Sequence, residues 1–209
     1  MSDIEYYEDI RYQEFLLSSR RKLICPPDYI MEQIDISHTE NLVDFGMGLG
    51  FFTNYLKKYM PPSSHLWGIE YQQEILDLVL KRKVTEEIEN FTPFHMEKSE
   101  HPLLPEWIPV PDVIFAAMCL STFPDPGLAM DGLVRSMKKE GRLIVIDWVK
   151  ADYPETPPIK YKVSLDKMKY LAEYYKLEVT HTFRVTEFVY GMELISTKDF
   201  VYGIYNFRD

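Results

Sequence analysis

Residues 44–50, D-F-G-M-G-L-G, combine an acidic side chain with three closely spaced glycines. Glycines at this density suit a turn that bends tightly and lets a ligand approach its backbone. Asp44 stands at the start of this stretch, where its carboxylate would repel a phosphate and would suit an amine or another positive group. Glu70 follows Gly50 by 20 residues and offers a carboxylate that can accept both hydroxyl hydrogens of a ribose.

This glycine pattern differs from the dinucleotide-binding fingerprint G-x-G-x-x-G. Counted from Gly46, the third glycine position holds Phe51, and counted from Gly48 it holds Thr53. A nicotinamide-dependent dehydrogenase is therefore a disfavoured alternative.

Short apolar runs alternate with amphipathic stretches along the chain, which predicts alternating strands and helices. The predicted strands are 41–45, 65–70, 91–96, 111–118 and 142–148. The predicted helices are 51–60, 71–88 and 127–139. The second helix carries one face formed by Ile75, Leu78, Val79 and Arg82, and Gly141 is expected to stop the third.

These alternating elements imply βαβ units and a parallel sheet with both faces covered. The glycine stretch then opens the first helix directly after the first strand. Backbone amides at such a helix start are unpaired and carry partial positive charge. This position lies at the carboxyl edge of the sheet, where open α/β proteins bind their ligands.

The last part of the chain has a different pattern. Ser164 is a candidate N-cap for a helix over 164–176, and the runs 177–185 and 188–196 are close enough to form a hairpin. We therefore expect an α/β fold with a Rossmann-like, doubly wound, mostly parallel seven-stranded sheet that ends in an antiparallel C-terminal hairpin. One domain is expected over 1–209, divided into an N-terminal helical cap at 1–36, a cofactor-binding core at 37–150 and a C-terminal helix and hairpin at 151–209.

Composition excludes several classes of function. A net charge of −10 argues against a large basic surface for nucleic acid. The short basic cluster at 20–22 is interpreted as a solvated face. Cys25 and Cys119 have no partners at metal-ligand spacing, which predicts free thiols in a reducing compartment and no metal.

The N-terminus is acidic rather than apolar, and the longest apolar run, 113–120, is short for a membrane span. We therefore expect a cytoplasmic protein whose partner is a small-molecule substrate, with no nucleic acid and no membrane. The sequence indicates no oligomeric state.

Five motifs in order over about residues 41–150 resemble the class I S-adenosylmethionine-dependent methyltransferases. They are VDFGMGLG (43–50), GIEY (68–71), MEKSE (96–100), PDVIFAAMCLSTFPDP (111–126) and LVRSMKKEGRLIVIDW (133–148). In detail the chain looks most like the ubiquinone/menaquinone-type and arsenite-methyltransferase-like branch. The glycine motif alone is weak evidence, and the order and spacing of the five motifs carry the resemblance.

The resemblance implies a class I methyltransferase fold and S-adenosylmethionine as cofactor, with S-adenosylhomocysteine as product. Asp44 would lie near the amino group of the cofactor, Glu70 would bind the ribose hydroxyls, and Tyr71 would lie beside the adenine. Four residues would line the methionine part through their backbone: Gly46, Met47, Gly48 and Gly50. The other implied cofactor contacts are Glu97, Lys98 and Ser99 at the adenine edge, and Ala117 and Met118 from the fourth strand.

The candidates for substrate contact are Tyr12, Ser121, Asp147 and Trp148. Ser121 stands where many relatives have a histidine, so no general base is assigned. Tyr12 belongs to an aromatic N-terminal stretch that would close over the cofactor or merely cover the core. Trp148, at the end of a strand, has packing as its alternative role.

The expected activity is methyl transfer to an unidentified small-molecule substrate. Arsenite is disfavoured, because it would need a set of cysteines and the chain has two. The 14% of aromatic residues permits an apolar pocket for a quinone precursor without demonstrating one. The alternative is a regulatory or scaffold protein that binds S-adenosylmethionine without transferring its methyl group, because a fold alone does not determine an activity.

Overall fold

The structure is a computed structural model that describes residues 15, 18–153 and 156–196. In chain order its strands are β1 (Asn41–Phe45), β2 (His65–Glu70), β3 (Phe91–His95), β4 (Val113–Ala117), β5 (Arg142–Trp148), β6 (Leu177–Arg184) and β7 (Val189–Ser196). Its α-helices are α1 (Ser19–Ile24), α2 (Pro27–Gln33), α3 (Thr53–Tyr59), α4 (Gln73–Thr85), α5 (Pro126–Arg135) and α6 (Leu165–Tyr174). Short 3-10 turns are present at Leu120–Thr122 and Ile159–Tyr161.

The strands form one sheet in the order β3-β2-β1-β4-β5-β7-β6. Strands β1 to β5 pair in parallel, whereas β7 pairs antiparallel with both β5 and β6. This confirms the predicted α/β fold, with a mostly parallel seven-stranded sheet and an antiparallel C-terminal hairpin. The strand order reverses between β1 and β4, and such a switch point leaves a crevice at the carboxyl ends of the two strands.

Apolar side chains cover both faces of the sheet, which explains why the central strands are continuous apolar runs. All five residues of β4 are buried. One core lies between the sheet and α1–α4 and includes Leu56 of α3 and Val79 of α4. The other lies against α5 and α6 and includes Leu133 and Met168.

Two helices differ most from their predicted extents. α4 is shorter than 71–88, and Leu78, predicted on its packed face, is 51% exposed, whereas Leu76 and Val79 are buried. α5 begins at Pro126, capped by the Asp125 carboxylate, and ends at Arg135, well before the expected stop at Gly141. At its end, the Ser136 hydroxyl donates to the Gly132 carbonyl and accepts from the Leu104 N–H, so that the 96–112 connection is tied to this end of the helix.

The C-terminal prediction is confirmed in detail. The Ser164 hydroxyl accepts a hydrogen bond from the Lys167 N–H and caps α6, which buries Met168 and Leu171. Strands β6 and β7 form the expected antiparallel hairpin, with β6 at the edge of the sheet.

The basic cluster at 20–22 is only partly the solvated face that we expected. Arg20 and Lys22 are exposed, but Arg21 is buried, with 6% of its surface accessible. Arg21 lies on the same face of α1 as Ile24, three residues later, and both are turned toward the protein. The expectation failed for Arg21 because its contacts are with distant parts of the chain.

Within the described ranges, none of the helices has the length and apolar character needed to traverse a membrane.

Candidate functional site

The glycine turn after β1 is held by backbone hydrogen bonds in a left-handed conformation. Gly46, Gly48 and Gly50 have φ values of 71°, 54° and 75°. The Met47 N–H donates to the Ile69 carbonyl at 2.9 Å, and the Gly50 N–H donates to the Met47 carbonyl at 3.0 Å. The turn therefore needs glycine for its backbone geometry, as L side chains rarely adopt such φ values.

The three glycines differ in what surrounds them. A Cβ at Gly46 would lie 2.8 Å from the Cβ of Cys119, and one at Gly50 would lie 2.9 Å from the Thr53 hydroxyl. A Cβ at Gly48 would meet no atom of the described residues within 4 Å. Among these residues, the middle of the turn thus faces open space, whereas its two ends are packed against protein.

The side chain of Met47 turns away from this open space. It is buried, and a Cβ at Gly68 would collide with its sulfur atom. The Met47 side chain is therefore not exposed to this space, and the contact of its backbone with a cofactor stays a prediction.

Glu70, at the end of β2, joins the turn to the start of α4. One carboxylate oxygen accepts from the Gly48 N–H at 2.9 Å, and the other accepts from the N–H groups of Tyr71 and Gln72 at 2.8 and 3.0 Å. Burial raises the pKa of Glu70, against the opposing effect of these backbone hydrogen bonds. A carboxylate has about four acceptor positions, so one position stays available for a ligand hydroxyl.

Asp44, at the end of β1, is a buried carboxylate with an unused oxygen. It is 2% exposed, and its Oδ2 has no hydrogen-bond partner among the described residues. Burial raises its pKa to about 7, although the positive charge of Arg21 acts in the opposite direction. A buried oxygen without a partner is costly, so this site favours a ligand that can donate to it.

Arg82, which we had placed only on the packed face of a predicted helix, contacts the glycine turn directly. One guanidinium nitrogen donates to the carbonyls of Leu49 and Gly50 at 3.0 and 2.9 Å. Its Nε donates to Glu86 at 2.7 Å, and Glu86 also accepts from Asn54 of α3 at 3.0 Å. The arginine therefore ties the turn, α3 and α4 together.

Arg21 is the second functional candidate that the sequence reasoning missed. Its guanidinium carbon lies 4.4 Å from the centre of the Phe51 ring, and one of its nitrogens lies 3.8 Å from the sulfur of Met118. These neighbours follow β1 and β4, the two strands at the switch point. The available signal was the helical spacing of Arg21 and the apolar Ile24.

The predicted adenine side lies next to Glu70 and is open. The Tyr71 ring makes an edge contact with Phe45 at 5.7 Å and with Phe123 at 6.4 Å. The following segment begins beside it, because the Met96 N–H donates to the Glu70 carbonyl at 3.1 Å. Three predicted contacts in this segment are exposed: Glu97, Lys98 and Ser99. Of these, Lys98 lies 5.5 Å from the Phe123 ring, which places it on the same side as Tyr71.

Ala117 and Met118 end β4 at the crevice and are both buried. Met118 has a φ of 57°, which is uncommon for a residue with a side chain. Its N–H donates to the Ile146 carbonyl at 2.7 Å, so the left-handed turn is anchored to β5. The chain reverses here toward Ser121.

Ser121 and Asp147 are brought together. The Ser121 hydroxyl donates to one Asp147 oxygen at 2.9 Å, and its N–H donates to the other at 3.1 Å. Asp147 is fully buried, which raises its pKa to about 6 against hydrogen bonds from Trp148 and Ser121. Ser121 is half-buried, so its oxygen is the part of this pair that a ligand could reach.

Trp148 lies on the opposite face of β5 from Asp147, because neighbouring side chains of a strand alternate. It is fully buried in the core beneath α1 and α2, and its indole N–H has no hydrogen-bond partner among the described residues. This placement favours the packing role. Tyr12, the remaining candidate for substrate contact, lies outside the described residues.

An adenosyl ligand with an amino-acid end fits the residues of this crevice. The space at Gly48 could hold the part of the ligand that lies against the backbone of the turn. Glu70 has a free acceptor position for a ribose hydroxyl, and Asp44 could accept a hydrogen bond from an amine. No group of three or more histidine, cysteine, aspartate or glutamate side chains that could hold a metal ion was found in the described part of the chain.

Comparison with known proteins finds a family model that matches the segment carrying this site. Residues 43–145 match a family model described as "Methyltransferase domain". The matched segment runs from β1 into β5 and contains the glycine turn, Glu70 and the end of β4. No curated protein matches the sequence.

Solved structures share the fold at low sequence identity. An S-adenosylmethionine-dependent methyltransferase from Aquifex aeolicus matches with a TM-score of 0.79 and 20% identity, over 89% of this chain and 97% of that one. An O-methyltransferase from neocarzinostatin biosynthesis, solved with S-adenosylhomocysteine and 1,4-dihydroxy-2-naphthoic acid, matches with a TM-score of 0.73 and 16% identity. The match covers 94% of this chain and 62% of that protein, so the chain spans less than two thirds of its length.

The [4+2]-cyclase SpnF also has this fold, with a TM-score of 0.67 and 12% identity over 82% of this chain and 80% of the cyclase. The chain thus has the fold of the class I S-adenosylmethionine-dependent methyltransferases. The match of residues 43–145 to the methyltransferase-domain model, together with this fold, supports a methyltransferase enzyme.

Proposed function

We propose that this chain transfers the methyl group of S-adenosylmethionine to a small-molecule acceptor. One observation carries the proposal: at the switch point of the sheet, Gly48 borders a space free of described protein atoms, and the nearby strand β1 carries a buried Asp44 oxygen with no hydrogen-bond partner among the described residues. A ligand that lies against the backbone of the turn and ends in an amine would occupy the space at Gly48 and donate a hydrogen bond to Asp44. S-adenosylmethionine has such an amine, and its sulfonium methyl group is the electrophile of the reaction.

In this proposal the two carboxylates at the strand ends orient the ligand. Asp44 accepts from the amino group, and Glu70 accepts from a ribose hydroxyl while it holds the Gly48 N–H. Tyr71 and the exposed 97–99 segment flank the adenine. Ala117 and Met118 bound the crevice on the side of β4 and exclude water from it.

The acceptor would enter on the β4–β5 side, where Ser121 lies at the crevice. The Ser121 hydroxyl donates a hydrogen bond to Asp147, so its oxygen can accept a hydrogen bond from an O–H or N–H group of the acceptor. Such a contact would orient a nucleophile toward the methyl group, which is mainly a positioning task. The solved O-methyltransferase with a bound dihydroxynaphthoic acid supports a small aromatic hydroxyl compound as the first class to test.

The proposal also assigns roles to the parts of the chain. Residues 37–150 would hold the cofactor, residues 1–36 would cap it, and residues 151–209 would close the sheet and border the acceptor. Helices α1 and α2 support the cap assignment, since Ile24 and Ile30 pack into the core that also contains Met118.

A first experiment tests the ligand. The melting temperature is measured with S-adenosylmethionine, S-adenosylhomocysteine and NAD, because a ligand that binds the native state raises it. We expect both adenosyl sulfur ligands to raise the melting temperature and NAD to leave it unchanged. Stabilisation by NAD alone would contradict the proposal.

A second experiment tests transfer. S-adenosylmethionine with an isotopically labelled methyl group is incubated with a panel of aromatic hydroxyl compounds, amines and thiols, and labelled products are measured. The Gly48→Val variant is the matched control, because it should lose the ligand space. A [4+2]-cyclase shares this fold, so the fold alone does not decide between methyl transfer and another role. Cofactor binding without labelled product across the panel would favour a protein that binds S-adenosylmethionine without transferring its methyl group.

A further inference from the structure

We propose that helix α5 determines how selectively the cofactor site binds adenine, because α5 holds one end of the segment 97–99 in place. The proposal rests on the proposed function, in which this segment flanks the adenine of S-adenosylmethionine. It assigns a positioning role to Asp131 and Gly132 of α5 and to Ser136 at the end of that helix.

The segment 97–99 is held from its two ends. Its three side chains are exposed, so their packing contributes little to its position. Before the segment, the Met96 N–H donates to the Glu70 carbonyl at 3.1 Å. At its far end, the Ser99 hydroxyl donates to the His101 carbonyl at 3.2 Å and accepts from the His101 N–H at 3.3 Å. The position of His101 therefore decides where the far end of the segment lies.

Gly132 lets the backbone after this segment lie directly on α5. A Cβ at Gly132 would lie 2.9 Å from a ring carbon of His101, 2.9 Å from the Pro102 carbonyl oxygen and 3.0 Å from the Pro102 nitrogen. Two of these three atoms belong to the backbone, which cannot turn aside as a flexible side chain can. A side chain at Gly132 would therefore push residues 101 and 102 away from the helix.

Two polar contacts fix the same stretch on either side of the glycine. The Nε2 of His101 lies 3.2 Å from Oδ2 of Asp131, a buried carboxylate that also pairs with Arg135 at 2.5 Å. A buried carboxylate is costly without such partners. The Ser136 hydroxyl accepts from the Leu104 N–H at 3.0 Å. Helix α5 therefore holds the chain at three neighbouring positions.

A fixed segment can distinguish one base from another. The connection 96–112 contains no helix or strand of its own, so its contacts with neighbouring elements determine its position. Adenine carries an amino group where hypoxanthine carries a carbonyl. The acceptors of the segment 97–99, which are its backbone carbonyls and the Glu97 carboxylate, can pair only with the amino group. A segment that is held in place leaves hypoxanthine unpaired, whereas one that can shift loses this discrimination.

The test compares two ligands on matched variants of α5. S-adenosylhomocysteine and S-inosylhomocysteine, in which hypoxanthine replaces adenine, are titrated by calorimetry into the wild type, Gly132→Ala and Gly127→Ala. Gly127 is the matched control on the same helix, because a Cβ there would collide with the ring of Tyr175. The wild type and Gly127→Ala should prefer the adenine ligand about 10–100-fold, the effect of one unpaired polar group. In Gly132→Ala this preference should fall to within about threefold.

His101→Ala is a second variant that removes the contact with Asp131 at a partly exposed residue, and it should also lower the preference. It tests the proposal where Gly132→Ala does not fold. A wild-type preference in both variants overturns the proposal and leaves α5 with a purely structural role. An equal loss in Gly127→Ala also overturns it, because the loss then follows general destabilisation. A wild type that binds both ligands equally contradicts selectivity for adenine, whereas one that binds neither contradicts the proposed function itself.

Discussion

The carboxylate of Glu70 accepts a 2.9 Å hydrogen bond from the backbone N–H of Gly48, 22 residues earlier in the chain. Its other oxygen accepts from the first two N–H groups after β2. One side chain therefore sets the distance between the glycine turn and the start of α4. The sequence predicted a ligand-binding carboxylate here, and the structure adds a role in holding the turn.

Replacing Glu70 by alanine should affect both binding and stability. We expect Glu70→Ala to weaken S-adenosylhomocysteine binding by about 1–3 kcal/mol, the range for charge-assisted hydrogen bonds. The free energy of unfolding should also fall, by about 1–3 kcal/mol, because three partly buried amides lose their acceptor. Calorimetry and urea unfolding measure the two effects, with the exposed Glu106→Ala as control. An unchanged affinity in a folded Glu70→Ala protein would place the ribose elsewhere.

Gly48 and Gly46 should respond differently to a side chain. A Cβ at Gly48 meets no described protein atom within 4 Å, so we expect Gly48→Val to cost mainly backbone strain of about 1–3 kcal/mol. The same atoms would occupy the ligand space, so S-adenosylmethionine binding should be lost. Gly46→Ala should destabilise more than Gly48→Ala, because its Cβ would lie 2.8 Å from that of Cys119. Circular dichroism and calorimetry measure fold and binding. A Gly48→Val protein with wild-type affinity would mean that the glycines serve chain geometry alone.

The sheet was predictable from sequence because its parallel strands are buried on both faces. Such strands appear as continuous apolar runs, and β1, β2 and β5 have the predicted bounds. Helix ends were less predictable, as the early end of α5 illustrates. The end of that helix carries a hydrogen bond between Ser136 and Leu104, and no local sequence pattern contains such a contact.

Part of the candidate site was predictable from the sequence and part was not. The glycine turn and Glu70 were predictable, because the backbone geometry of the turn and the position at a strand end restrict which residue types can stand there. The contacts of Arg21 and Arg82 are not local: the partner of Arg21 at Met118 is 97 residues away. Arg21 stands next to Arg20 in a short basic segment that is typical of a solvated surface. Only the packing of α1 distinguishes the buried Arg21 from its exposed neighbour.

The ionisation of Asp44 should make stability depend on pH. Its pKa is about 7 in the folded protein, against about 3.9 in an unfolded chain. Folding therefore favours the protonated form, and this stabilisation is complete below about pH 4 and is lost as pH rises to about 7. Unfolding free energies of the wild type and Asp44→Asn, measured between pH 4 and 8, should give a difference curve with this fall. A flat difference curve would contradict the shifted pKa.

Ligand binding should show the opposite trend at the same residue. A bound ammonium group favours ionised Asp44, so S-adenosylhomocysteine should bind more tightly as pH rises toward 7 and should release a proton on binding below that pH. Calorimetry in buffers of different ionisation enthalpy measures this proton. Asp44→Asn is the control, and proton release that persists undiminished in this variant would assign the effect to another group.

Arg82 should position the glycine turn for the cofactor. It donates to two turn carbonyls, at Leu49 and Gly50, while Glu86 holds its Nε. Without it, both carbonyls lose a cationic donor and the turn can depart from the geometry that the ligand needs. We expect Arg82→Gln to weaken S-adenosylhomocysteine binding about tenfold, with Arg82→Lys in between, because an ammonium keeps the charge but not the planar fork of donors.

Lys81→Gln, a change at an exposed neighbour on α4, should leave binding at the wild-type level. Glu86→Gln breaks only the half-exposed ion pair and should change stability by about 0–1 kcal/mol. If Arg82→Gln lowers the melting temperature while its affinity stays at the wild-type value, the arginine supports the fold and does not position the turn.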